Sequence, residues 1–514
     1  MLAFLRRIFQ RRMYPYHRSA HASSARSSAR QKELGRGAEA DFALLSAQCK
    51  MEDFTYRRLD TAICCYIATI VSLEYVDKYI VQALLSVSSD QKMRLPLLEK
   101  LQGSEVEQLK DMDACISKLL QGWAIVLHDD GLPIAVNVFD VPERSVSPSE
   151  NETTIFGPQE NFIESLMTNV GIVRKRLKSR DLQLDVTLVG ERTHTMVGLL
   201  WLEGIANPQN IAELKKRLST IQRDGITDIS ELAEFLEDNP YSPFPNFIST
   251  TQPQKTVSSL LDGRIIMMVD GSPYVWITPS TFWEFFQSPD DYYNRWVSGS
   301  LIRSLRMFGL FAALFLTAIY VAITTFHYQM IPRDMVMTLL ETRTKVPFPP
   351  LIEAMLMEIT IEFLREAGVR LPTKIGQTIG IVGGIVIGQA AVIAGFTSNF
   401  LIIAVALSSI ASFVIPSYLM ANAVRTIRYV LIILAGFFGF VGIVIGFTMI
   451  TLHLLEMRSL GAPYLSPLVP LRVGDWVDSV IRFPSTLAIS RSTFARPRDV
   501  KRAGKEEGDN QNST

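Results

Sequence analysis

Residues 346–372 read VPFPPLIEAMLMEITIEFLREAGVRLP. Prolines bound this stretch on both sides, and the largely apolar run between them places Glu358, Glu362 and Glu366 four residues apart. Each step of four residues turns an α-helix about 40° past a full turn, so the three carboxylates share one narrow stripe, with Glu353 on the other side. A charge at the middle of a lipid-facing helix costs about 2.5–3.5 kcal/mol, so the stripe must meet water, headgroups or protein. Two readings stand. The glutamates line a cation path, or they form interfacial and interdomain salt bridges with partners such as Arg365, three residues beyond Glu362, and Arg370.

Outward from this stretch the chain is strongly apolar. Four membrane spans are expected near 305–328, 375–396, 400–420 and 429–455, each with the roughly 20 residues needed to cross about 30 Å of hydrocarbon. An amphipathic helix over 350–367 either dips into the membrane and returns or crosses as a fifth span. Lys and Arg counts beside the spans do not choose between four and five, so the side of the C-terminus stays open. Within the second span Gly376, Gly380, Gly384 and Gly388 recur every four residues, leaving one face without side chains. Such a face packs closely against another helix, or meets its copies around an axis as a bare pore wall beside Thr378, Ile381 and Ile385.

Upstream, residues 37–300 alternate strand-like runs with amphipathic helical patterns and repeat one arrangement. The strand TAICCYIATIV (61–71) precedes helices near 74–85 and 105–120 and the hairpin WAIVLHDDGLPIAVNV (123–138). HTMVGLLWLEGIA (194–206) likewise precedes helices near 207–222 and 228–237 and GRIIMMVDGSPYVWI (263–277). Asp130-Gly131 and Asp270-Gly271 mark the two turns, because glycine tolerates the positive φ a tight hairpin requires. The expected fold class is therefore an α+β soluble N-terminal region of two similar mixed α/β subdomains, followed by an α-helical polytopic membrane domain. Its expected divisions are a disordered basic arm (1–36), subdomain 1 (37–140), a linker with a helix (141–180), subdomain 2 (181–300), a transmembrane domain (301–456) and a polar C-terminal tail (457–514). The basic end of the linker helix, near 174–177, complements that helix's dipole.

The chain has 514 residues, 48% of them hydrophobic, and 51 basic residues balance 51 acidic ones, so no overall field selects nucleic acid. The first 36 residues are the exception, with nine Lys or Arg against Glu33, a composition that fits a transit peptide and fits better a tail lying on anionic headgroups. The four cysteines, Cys49, Cys64, Cys65 and Cys115, lack metal-ligand or CxxC spacing and are expected as reduced, buried thiols. P-loop, GxSxG and HExxH motifs are absent and the six histidines are scattered, so an enzyme, a metal site and a cofactor are not expected.

The run from VPFPPLIEAMLMEITIEFLREAGVRLP through TKIGQTIGIVGGIVIGQAAVIAGFTS resembles the membrane domain of the A subunits of GerA-type spore germinant receptors. GPQENFIESLMTNVGIVRKRL, FPNFISTTQPQ, VDGSPYVWITPSTFWEFFQSPDDYY, HYQMIP and GAPYLSPLVP match the family in the same order, over roughly 50–490. Phe156-Gly157-Pro158 and Thr251-Gln252-Pro253 depart from motifs that carry charges in the family, which puts in doubt the coupling those charges serve. The resemblance implies a multi-pass protein of the spore inner membrane with a cytosolic N-terminal domain, assembled with a permease-like B subunit, a lipoprotein C subunit and further A subunits. It also implies that small nutrients trigger release of monovalent cations, with the A subunit as an oligomeric channel. A non-conducting scaffold is the alternative; a solute carrier would show paired inverted spans, and none is found.

Overall fold

The computed structural model describes residues 34, 37–59, 62–85, 105–129, 131–140, 152, 157–370, 384, 386–479, 481–484 and 490–502. The basic arm expected over 1–36 lies almost wholly outside the described residues, as do Gly376, Gly380, Thr378, Ile381 and Ile385. Two compact units emerge: residues up to Phe139 without Met51–Asp53, and Asp140 onward with Met51–Asp53.

The first unit contains α1 (Ala38–Gln48), β1 (Phe54–Leu59), β2 (Ala62–Ile67), and the helix α2, which runs through Leu73–Tyr75, Val76–Val81 and Gln82–Leu85 with a π-helical middle. It continues with β3 (Val106–Gln108), α3 (Met112–Leu119), β4 (Trp123–His128) and β5 (Ile134–Asn137). Its sheet has the order β1-β2-β4-β5-β3, antiparallel throughout. The helix expected over 105–120 is shorter, because Val106–Gln108 pairs with β5 as an edge strand. All six residues of β2 are buried, as are the four cysteines. Burial pushes the Cys64 and Cys115 thiols up to about 12, so neither forms thiolate readily.

The second unit repeats the order. Its elements are α4 (Leu166–Arg176), β6 (Leu182–Val189), β7 (Thr195–Leu202), α5 (Pro208–Ser219), α6 (Ile229–Leu236), β8 (Ile248–Thr250), α7 (Pro253–Leu261), β9 (Ile265–Val269) and β10 (Val275–Thr278). The sheet order β6-β7-β9-β10-β8 matches the first strand for strand. Leu214 and Leu218 of α5 and Ile229, Leu232 and Leu236 of α6 cover the face that carries Val197, Leu199, Met267 and Trp276. The N-terminal part is thus a mixed α/β region with two sheets.

The segment expected as a linker helix packs against the second sheet instead, with Leu166 beside Gly198 of β7. Leu166, Val170 and Val173 of α4 are buried, and the turn residue Asp270 accepts a hydrogen bond from the Leu166 N–H (3.0 Å). Arg174 serves more than the helix dipole: buried, it pairs with Asp53 at 2.5 and 2.6 Å.

A helical bundle follows the short α8 (Asp290–Tyr293). It contains α9 (Trp296–Thr325), α10 (Arg333–Arg343), α11 (Pro350–Arg370), about two turns of helix over 386–393, α12 (Asn399–Phe413) and α13 (Tyr418–Glu456). Helices α9 and α13 are long and apolar enough to cross a bilayer. The span expected over 400–420 ends early. Pro416 lacks the N–H a continuing helix needs, and α12 stops at Phe413 with 15 residues, about 22 Å.

The span expected over 429–455 is also different: it belongs to a helix that doubles back. Gly439, at φ 60 and ψ −138, breaks α13, and a Cβ on Gly446 would lie 2.5 Å from Leu431 Cδ2. In a straight helix, residues 15 apart stand about 22 Å apart. The contact requires a hairpin, Tyr418 to Phe438 out and Phe440 to Glu456 back.

Pairings fix the direction of each segment. Thr317, Glu358, Ser408 and Arg428 meet at one level. Further along α9, Tyr320 meets Ser398 at the start of α12, and Glu353 early in α11 reaches the same residue, so α11 and α12 run opposite to α9. The outgoing half of α13 brings Gly436 to Leu351 and Gly439 to His327; the returning half brings Phe447 to Phe315 and His453 to Ser242.

Candidate functional site in the helical bundle

Helix α11 carries the glutamate stripe, and each carboxylate finds an arginine. Glu358, fully buried, lies 2.7 Å from Arg428 Nη2 and accepts a hydrogen bond from Thr317 Oγ1 at 2.9 Å. Ser408 joins both partners: it receives a hydrogen bond from Arg428 Nη1 (3.1 Å) and contacts Glu358 Oε1 at 3.4 Å. Four side chains from α9, α11, α12 and α13 therefore share one network. One turn on, Glu362 pairs with Arg365 and stands 3.9 Å from Arg425 Nε; Glu366, exposed, pairs with Arg370 at 2.7 Å. Burial thus falls along the stripe from Glu358 to Glu366.

Such a network ties helices together because of what breaking it entails. Two charges removed from water need each other and every spare hydrogen bond, and deleting one partner of a buried pair typically costs about 3–5 kcal/mol. The Thr317 and Ser408 hydroxyls supply part of those extra bonds, at Glu358 Oε1 and Arg428 Nη1, without adding a further charge.

Glu353 is a site residue that the stripe does not include. Also buried, it accepts hydrogen bonds from Thr397 Oγ1 (3.0 Å) and the Ser398 N–H (2.5 Å) at the start of α12, where a carboxylate complements the helix's positive end. Thr397-Ser398-Asn399 ahead of an apolar run is a capping signal that could have located it. Arg428 escaped for a different reason. It stands one residue before the apolar window of the fourth expected span, in the polar flank.

The glycine face is described only at Gly384 and Gly388. A Cβ built on either would meet no described atom within 4 Å. Among the described residues no cluster of His, Cys, Asp or Glu could hold a metal ion.

Known proteins share this sequence along most of its length. A family model described as Bacillus/Clostridium GerA spore germination protein matches residues 39–494. Spore germination protein GerQA of Bacillus cereus is 42% identical over 436 residues, covering 84% of this chain and 86% of that one. Spore germination protein KA of Bacillus subtilis is 36% identical over 448 residues, covering 86% of this chain and 82% of that one. The crystal structure of the N-terminal domain of the A subunit of the Bacillus megaterium spore germinant receptor GerK3 aligns over 49% of this chain and 97% of its own, at 25% identity and a TM-score of 0.38. On the family match across most of its length, the chain belongs to the GerA family of spore germination proteins.

Proposed function

We propose that this protein is the A subunit of a nutrient-germinant receptor in the spore inner membrane, and that it transduces nutrient binding into release of monovalent cations. It does so as a multi-pass, non-enzymatic subunit beside a permease-like B subunit and a lipoprotein C subunit, with its N-terminal region cytosolic. Copies of the chain surround an axis, with the face of Gly376, Gly380, Gly384 and Gly388 turned to the conduit or to the next copy. Glu358 and Arg428 hold the closed arrangement, and nutrient binding in a partner favours a state in which that pair has parted.

The observation that carries this reading is the Glu358–Arg428 pair with Thr317 and Ser408, a buried charged network joining four helices within the bundle. Charge at that depth is costly and serves best as an element with two arrangements. Glu362 and Glu366, paired toward the end of α11, extend the stripe toward the soluble part.

A nutrient-triggered potassium-release assay on spores, expressed per receptor, tests it. Glu358→Gln leaves Arg428 buried without a counter-charge and is expected to lower receptor amount. The double variant E358Q/R428M removes both charges; it should restore the amount and release potassium without nutrient. Normal nutrient dependence in the double variant would overturn the reading. A non-conducting scaffold is the second reading, favoured by one observation: all three stripe glutamates already have arginine partners. Purified chain in liposomes, assayed alone for potassium flux, separates the two.

A further inference from the structure

The root of α9 is held by a second charged cluster. Asp291, fully buried, receives Arg306 Nη1 at 2.7 and 2.8 Å and Arg303 Nε at 3.3 Å. Arg303 also donates to the Asp478 carbonyl (2.7 Å) and to its carboxylate (3.1 Å), and Tyr292 Oη donates to the same carboxylate (2.7 Å). Arg482 donates to the Asn294 carbonyl (2.6 Å) and accepts Ser300 Oγ on its own carbonyl (2.7 Å). Asp478 and Arg482 come from the segment after α13, more than 170 residues from the helix they hold.

That segment is equally tied to the second sheet's subdomain. Tyr464 Oη donates to the Pro245 carbonyl (2.7 Å), Arg491 Nε to the Leu261 carbonyl (2.7 Å) and the Arg498 N–H to the Ile205 carbonyl (2.8 Å). Arg502 pairs with Asp262 at 2.8 Å. At the end of α13, His453 meets Ser242 at 2.8 Å. The first and last helices of the bundle are therefore both rooted on one subdomain. By contrast, the hydrogen bonds and ion pairs of α11 and α12 among the described residues all stay within the bundle.

We infer that the C-terminal segment is a transmission strut, and that Asp478 is the positioning residue through which movement of the second sheet's subdomain reaches α9. This rests on the proposed function and names its regulation. Asp291 is sealed and acts as the fixed pin, while the Asp478 side chain is 50% exposed and can let go. A cavity of about 330 Å³, lined by Asp478, Ser479, Tyr292, Gln287, Lys255 and Asp262, gives the strut room to shift. Displacement of α9 then acts on Glu358 through Thr317.

The test measures nutrient dose–response of potassium release in spores carrying the whole receptor, per receptor quantified by immunoblot. Asp478→Asn should raise the half-maximal nutrient concentration by about tenfold, a typical coupling between sites. Asp478→Glu should bring it back to within about threefold of the original, since the charge and its two partners return. Asp224→Asn breaks the exposed Arg192–Asp224 pair, outside the strut and the helix root, and should change nothing. In the E358Q/R428M background release should be nutrient-independent whatever stands at 478. A normal dose–response for D478N, an equal effect of D224N, or a loss explained wholly by less receptor would overturn the strut. Absence of spontaneous release in E358Q/R428M alone would instead overturn the proposed function.

Discussion

Glu237 stands at the C-terminal end of α6. Burial pushes its carboxyl up to about 7, with Glu234 and Asp238 adding repulsion and only a 3.4 Å hydrogen bond from the Asn246 N–H opposing. The native state then holds a proton that the unfolded chain releases near pH 4.5, so stability falls as pH rises from about 4.5 to above 7. Thermal unfolding of the detergent-solubilised chain between pH 5 and 8 should show that decline, and Glu237→Gln should flatten it. An unchanged slope in the variant would show that another group titrates. At this scale the sequence was informative where charge met apolar context, as at Glu358. It was silent on Glu237, because the pocket that holds it closes only when Asn246 and the C-terminal segment's Tyr464 arrive from distant parts of the chain.

Among the elements, α13 departs most from its sequence. Hydropathy counts apolar residues and not their direction, so a helical hairpin and one long span give the same signal over 418–456. The corner is Gly439, whose φ of 60 and ψ of −138 suit glycine and where a Cβ would approach His327 Cε1 to 2.7 Å. Gly439→Ala should therefore cost about 1–2 kcal/mol in backbone strain before any clash, and the chain's level in membranes should fall severalfold. Val444→Ala, at an exposed position of the returning arm, is the control for folding. Equal levels of the two variants would argue against the hairpin. The Asp270-Gly271 turn was legible by the opposite logic, since its signal is local: Gly271, at φ +92, needs only its own two strands to be understood.

For the whole molecule, α9 leaves the second sheet's subdomain and the returning arm of α13 comes back to it, where the C-terminal segment packs. On the proposed multi-pass reading the number of crossings between those two ends is even. Single cysteines at Arg192, Glu341 and Lys501, probed with a membrane-impermeant thiol reagent, should place 192 and 501 on one side and 341 on the other. Labelling of 501 together with 341 would require an odd count. The buried native thiols would stay silent in this assay. Sequence by itself determined the duplicated α/β pattern, the apolar C-terminal part, the glutamate stripe and the family, because turn chemistry, periodicity and motif order are local properties. Only tertiary structure decided which arginine answers each glutamate, where α13 turns and what the C-terminal segment grips. Those outcomes depend on residues tens to hundreds of positions apart, and no local pattern encodes which distant partner wins.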